Sequence, residues 1–173
     1  MEKGYDMGPV TAYLALGANL GDRQGQLQGA RAALAAAGGT RVTAASPLYE
    51  TRPVGGPPNQ PLYLNAVLRV ETTLSCRGLL ELCLAVEARF GRRRREPWGP
   101  RTLDVDLLFY GDETLDEPGL VVPHPRLHQR RFVLVPLTDL APELLHPVFG
   151  RSVHQLLTAL GNGESVRFYA REW

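Results

Sequence analysis

The sequence predicts an α+β fold of βαββαβ order, with two helices covering one face of an antiparallel sheet. Two apolar stripes, Leu27/Ala30/Leu34 and Leu79/Leu82/Val86/Phe90, recur at helical spacing. Strand-like segments flank each stripe in the order strand, helix, strand, strand, helix, strand. At 173 residues the chain suits one compact domain, expected over residues 10–173.

The elements follow in order. Thr11–Leu16 is apolar and strand-like, and Gly17-Ala18-Asn19-Leu20-Gly21-Asp22 ends it in a turn that offers a helix cap. The first helix runs from Arg23 to Ala37 and is stopped by Gly38-Gly39. Arg41–Tyr49 reads as the second strand. Glu50–Pro61 is too rich in proline and glycine for regular structure. A long strand covers Leu62 to Thr73, and Ser75 then caps a helix through Phe90. An arginine-rich loop, Arg92 to Arg101, leads into a fourth strand, Leu103–Tyr110. Short strand-like pieces, proline turns and a helix from Ser152 to Leu160 complete the chain. The order of the first six elements is that of the split βαβ, ferredoxin-like arrangement.

Alternation along the fourth strand sends Leu103, Val105, Leu107 and Phe109 one way and Asp104 and Asp106 the other. With the apolar set against the helices, both carboxylates lie on an open sheet face. Tyr63 and Asn65 likewise oppose Leu62 and Leu64.

Composition excludes several functions. A net charge of +1 argues against a dedicated nucleic-acid or membrane-surface binder. No apolar run approaches the ~18 residues of a membrane span. Residues 1–9 carry Glu2, Lys3 and Asp6 and are expected to form a disordered tail rather than a signal segment. Cys76 and Cys83 lack metal-site spacing and read as core or helix-face thiols of a reducing, cytoplasmic compartment. The chain is expected to act as a monomer.

Two carboxylates in Asp104-Val105-Asp106 repel each other unless a cation compensates them, and such an oxygen-only pair suits Mg²⁺ completed by phosphates and water. Close by lie Arg92, Arg93, Arg94, Arg95 and Arg101 around Trp98-Gly99-Pro100. A run of charge is ordinarily a solvated loop, but guanidinium forks beside a carboxylate pair point to a bound polyphosphate. Of 19 basic side chains only Lys3 is lysine, which removes the Walker A loop and the protein-kinase strand lysine. Bound ATP must then be held by arginines, Mg²⁺ and backbone. Tyr63, Asn65, Trp98 and Phe132 offer faces and an amide edge to a flat polar heterocycle, although such aromatics are more often core. His124, in Val122-Pro123-His124-Pro125, is placed to donate to a phosphate and equally suited to a structural role. His128, His146 and His154 show no ligand spacing.

The chain resembles 6-hydroxymethyl-7,8-dihydropterin pyrophosphokinases. The matching segments are Ala15–Gly21, Ser46–Thr51, Tyr63–Ala66, Trp98–Asp106 and Val122–Pro125, in family order across most of the chain. The resemblance implies transfer of the β,γ-pyrophosphoryl group of ATP to the pterin hydroxymethyl oxygen, releasing AMP, in folate biosynthesis. By position it implies that Asp104 and Asp106 bind two Mg²⁺ ions. Thr51, Val54, Tyr63, Asn65, Trp98 and Phe132 would form the pterin pocket. Glu87, Arg92, Arg94, Arg101, His124 and Arg130 would hold ATP, with Arg92 and Arg94 also supporting catalysis. Glu50–Pro61 and Arg92–Pro97 are expected to act as lids. Two other readings use the same residues: a metal-dependent nucleotidyltransferase releasing pyrophosphate, and an RNA-binding module of related topology. The second lacks an RNP-like aromatic run.

Overall fold

The computed structural model describes residues 8–90 and 103–173. Five strands form an antiparallel path, β5-β1-β4-β3-β8, and β2 also pairs with β4. These are β1 (Val10–Ala18), β2 (Thr40–Ala45), β3 (Leu48–Thr51), β4 (Tyr63–Thr72), β5 (Asp104–Tyr110) and β8 (Val166–Ala170). A small hairpin of β6 (Leu115–Glu117) and β7 (Leu120–Val122) stands apart.

Helices α1 (Arg23–Ala36) and α2 (Cys76–Arg89) start where the sequence places their caps. Asp22 and Ser75 accept hydrogen bonds from Gly25 N and Gly78 N. Their apolar stripes, with Leu27, Leu34, Leu79, Cys83 and Val86 buried, pack on Leu14, Leu16, Leu64, Leu68, Val105 and Leu107 of the sheet.

The opposite face is not open. Helices α3 (Arg131–Leu140) and α4 (Val153–Leu160) cover much of it, burying Tyr13, Val67, Leu108 and Phe109 with Leu134, Leu137, Val153 and Leu156. Phe109 therefore faces away from α1 and α2, contrary to strict alternation. The cause is an irregularity in the β1–β5 register, where Leu14 pairs with Leu107 but Tyr13 pairs with Phe109. The extra residue inverts the pattern: Leu107 and Tyr110 join the first core, and Leu108 and Phe109 the second. Burying a phenylalanine is worth about 2–3 kcal/mol, and Phe109 gains it under α3 and α4 rather than under α1 and α2.

Other boundaries also differ from expectation. The single strand expected over 41–49 is two strands, interrupted at Ser46-Pro47, and β3 continues through Thr51. Leu62 lies just outside β4 and is exposed. The helix expected near Ser152 is α4, with Ser152 and Gln155 forming a capping box. Of the expected tail, residues 1–7 lie outside the described residues. Among the described residues no helix is long and apolar enough to cross a membrane.

Candidate active site

Gly17 of β1 pairs with Asn65 of β4 on one side and with Asp104 of β5 on the other. Cross-strand partners point to the same face. Asn65 and Asp104 thus rise on either side of a residue without a side chain, two strand spacings or about 9.5 Å apart. In the next row Ala15 lies between Val67 and Asp106. Both carboxylates belong to this face and lie roughly 7 Å apart along the strand. Gly17 leaves a gap between an amide and a carboxylate at the border of the second core, against which Ala15 of the next row packs.

On the amide side, Asn65 Nδ2 donates to Thr51 Oγ1 at 2.6 Å, and both residues are buried. Tyr63 pairs with Thr51 across β3 and β4. A methyl group at position 17 would lie 3.8 Å from its Cδ1, so Tyr63 flanks the same gap. Val54 is exposed on the connecting loop. That loop is held at both stems. Arg23 Nη1 donates to Glu50 Oε2 and to the Leu62 carbonyl, each at 2.9 Å. Asn19 Nδ2 donates to Gln60 Oε1 and the Pro61 carbonyl. Arg167 of β8 reaches Glu50 Oε1 at 2.9 Å. Burial pushes the Glu50 carboxyl up, but the two arginines outweigh it and hold it below the usual range. Beside Asn65, Tyr49 donates to Asp139, tying β3 to the end of α3.

The acidic side meets the N-terminus of α3. Arg130 lies with its guanidinium carbon 5.6 Å from the Phe132 ring centroid. Burial lowers the Arg130 pKa, while Asp106 and Asp104 are close enough to push it back up. One cation therefore adjoins both an aromatic face and the carboxylate pair. His124 follows the cis Val122–Pro123 bond, and its Nδ1 accepts the Arg126 N–H at 3.1 Å. Burial first, then Arg130 and Arg126, pull its pKa down to about 4. At neutral pH it is an uncharged imidazole with its proton on Nε2, a donor suited to a phosphate oxygen. Glu87 is buried in α2, and its Oε1 accepts the Val105 N–H at 2.9 Å.

Among the described residues no group of three or more His, Cys, Asp and Glu gathers in metal-binding fashion. Two partly buried carboxylates on one sheet face fit Mg²⁺, which takes one or two carboxylates and completes its shell with phosphate and water. Arg92, Arg93, Arg94, Arg95, Trp98, Arg101 and the expected 92–97 lid lie outside the described residues. Cys76 and Cys83 are buried free thiols, pushed up to about 11 and about 12, chiefly by burial.

Sequence reasoning, with the resemblance, singled out Thr51, Tyr63 and Asn65, which meet on one side of Gly17, and Asp104, Asp106, Arg130 and Phe132, which lie on the other. It missed Gly17 as the gap, and Asn19, Arg23 and Glu50 as holders of the loop. The expected strand ends at Leu16 with Gly17 starting the turn, but β1 runs on to Ala18 and so holds a glycine within an apolar strand, which marks a close approach. The loop contacts are long-range, and no local pattern announces them.

The family profile described as 7,8-dihydro-6-hydroxymethylpterin-pyrophosphokinase (HPPK) matches residues 13–142. Among curated proteins, the 2-amino-4-hydroxy-6-hydroxymethyldihydropteridine pyrophosphokinase of Pseudomonas aeruginosa is 46% identical over 147 residues, spanning 85% of this chain and 90% of its own. The protein of the same name from Synechocystis is 45% identical over 146 residues, 84% of this chain and 74% of its own. A crystal structure of an HPPK-DHPS in complex with substrates superposes with a TM-score of 0.71 over 88% of this chain at 12% identity. The wild-type Plasmodium falciparum HPPK-DHPS with SDX-DHP gives 0.69 over 87% at 16% identity. This chain spans 43% and 44% of those two solved chains, and at such identities they speak to the fold.

Proposed function

The chain belongs to the 7,8-dihydro-6-hydroxymethylpterin-pyrophosphokinase family, and from that premise we propose how its site divides the work. The enzyme is an ATP-dependent pyrophosphokinase of folate biosynthesis. It moves a pyrophosphoryl group from ATP to the hydroxymethyl oxygen of the dihydropterin. The new bond joins the hydroxymethyl oxygen, which gives up its proton, to the β-phosphorus; the bond from the β-phosphorus to the α,β-bridging oxygen breaks, and AMP leaves carrying the bridging oxygen.

The observation that carries the assignment of roles is the row Asn65–Gly17–Asp104. It sets an amide, which would meet the heterocycle, and a carboxylate, which would hold the cation, on one sheet face on either side of a residue with no side chain. We assign Thr51, Val54, Tyr63, Asn65, Trp98 and Phe132 to the pterin. Asp104 and Asp106 hold Mg²⁺, two ions in our reading. Bound there, Mg²⁺ would supply positive charge against the triphosphate. Arg130, next to Phe132, bridges the two substrates and offsets charge as it shifts to the departing AMP. His124 donates from Nε2, and Arg92, Arg94 and Arg101 complete the phosphate grip, with Glu87 behind the aspartates. Transfer is in-line, and catalysis rests on positioning and charge neutralisation.

We also read the β1-α1-β2/β3-β4-α2-β5 core as ferredoxin-like, carried by one domain over residues 10–173 that works as a cytoplasmic monomer. The test of function is identification of the nucleotide product after mixing protein, ATP, Mg²⁺ and hydroxymethyl-dihydropterin. AMP formed only with pterin is the expected result. ADP or pyrophosphate would overturn the reaction.

A further inference from the structure

Glu87 is 3% exposed and sits on α2 among Cys83, Val86 and Val105 of the first core. A carboxylate withdrawn from water to that degree is costly unless its oxygens find strong donors. One donor it finds is the N–H of Val105 at 2.9 Å. Val105 is the residue between the two aspartates. It lies on β5, which ends the sheet path and has β1 as its neighbour there.

These facts concern the backbone that presents the acidic pair. An edge strand has one row of amides turned away from its partner. Two residues further along, the β1–β5 register is already broken between Leu107 and Phe109. The acidic end of β5 therefore lies between a bulge and, among the described residues, the outer margin of the sheet. A side chain from the helix behind takes the amide at its midpoint.

We propose that Glu87 is a positioning residue for the metal-binding carboxylates. It holds the Val105 amide so that Asp104 and Asp106 keep one spacing and one direction, and it does so from beneath the strand without touching nucleotide. This rests on the reading of Asp104 and Asp106 as Mg²⁺ ligands. It replaces the direct ATP contact that family resemblance implies for Glu87. Partners behind a metal ligand commonly set affinity by 10–100-fold when removed, and a backbone hold between two ligands acts on both.

The test uses three variants of the full chain and a readout without turnover: Mn²⁺ binding in the presence of a non-hydrolysable ATP analogue, followed by electron paramagnetic resonance of free Mn²⁺. Glu87→Gln keeps the acceptor oxygen and its reach. Glu87→Asp keeps the charge but is one methylene short. Glu87→Met removes the acceptor. The expected result is Mn²⁺ affinity within about threefold of the parent for Glu87→Gln, and a loss of about tenfold or more for Glu87→Asp and Glu87→Met. The Val105 amide, followed by NMR hydrogen exchange, opens in Glu87→Asp and Glu87→Met and stays protected in Glu87→Gln. Glu87→Asp and Glu87→Gln decide the matter if Glu87→Met does not fold.

Normal Mn²⁺ affinity in Glu87→Asp with a loss in Glu87→Gln would overturn the proposal, because charge and not the held amide would then matter. So would a fall in metal-free nucleotide affinity in Glu87→Gln with Val105 still protected, which would return Glu87 to the nucleotide. Asp104→Asn and Asp106→Asn test the underlying reading separately. If they bind Mn²⁺ like the parent, the metal site itself is misassigned whatever Glu87 does.

Discussion

A methyl group at Gly17 would stand 3.0 Å from Oδ1 of Asn65. Gly17 and Asn65 are direct partners across β1 and β4, so the absence of a side chain at one sets the position of the amide at the other. At 3.0 Å something must give, and the yielding group is the Asn65 amide. Gly17→Ala is expected to raise the pterin KM about tenfold, since small displacements of a positioning group are costly. The ATP KM should change far less. Steady-state kinetics with each substrate varied in turn checks this, and equal effects on both KM values would contradict it.

Thr51→Val removes the oxygen that accepts from Asn65 Nδ2 at 2.6 Å inside the protein. A buried donor left without its partner costs about 1–3 kcal/mol, which for this chain length lowers Tm by roughly 3–10 °C. Calorimetry measures the loss. Binding of the pterin to the variant should weaken in parallel, because the freed amide no longer has a fixed direction.

Asp104→Ala and Asp106→Ala should each reduce turnover by about a thousandfold or more while leaving the fold intact, since both side chains are only partly buried. Chelation of the metal from the parent enzyme should have the same effect and be reversed by added Mg²⁺. A variant with near-normal rate would remove the carboxylate pair from the mechanism.

Arg23→Ala frees both stems of the 52–62 loop at once, because one guanidinium nitrogen serves Glu50 and the Leu62 carbonyl. Arg167 still neutralises Glu50, so the expected cost in stability is modest, about 1 kcal/mol or less. Hydrogen exchange across 52–62 should accelerate, with a several-fold rise in pterin KM. Unchanged exchange would show that Asn19 and Gln60 suffice.

His124 gives the molecule a defined response to acid. Its pKa is about 4 in the folded chain, against 6.5 as the ordinary value. Between these values the unfolded chain binds the proton that the folded one refuses, so stability rises with pH across this window. The contribution is complete above pH 6.5 and is lost as pH falls towards 4. A Tm-against-pH curve for His124→Gln should be flatter than that of the parent over the same window.

Much of this site was legible because its carriers lie in regular strands. Alternation alone placed Asp104 with Asp106 and Tyr63 with Asn65. It failed at Phe109, where the extra residue at Leu108 changes the register against β1, an event that depends on the partner strand. Helix α3 escaped because Phe132-Val133-Leu134-Val135 reads as a strand and Pro136 lies inside the helix, where it cannot donate to the Phe132 carbonyl. β8 escaped because Arg167, Phe168 and Tyr169 are exposed and give no alternation of burial to detect. Its identity as a strand comes from pairing with β3.

That pairing also sets a schedule for the newborn chain. β3 carries Thr51 and Glu50, yet its outer partner arrives only with Val166–Ala170, and Arg167 meets Glu50 across 117 positions. At a synthesis rate of 5–20 residues per second this gap lasts roughly 6–23 seconds. During that interval β3 is the bare margin of the sheet, and the pterin side waits on the ribosome while β1, β4 and β5 can already close the acidic side.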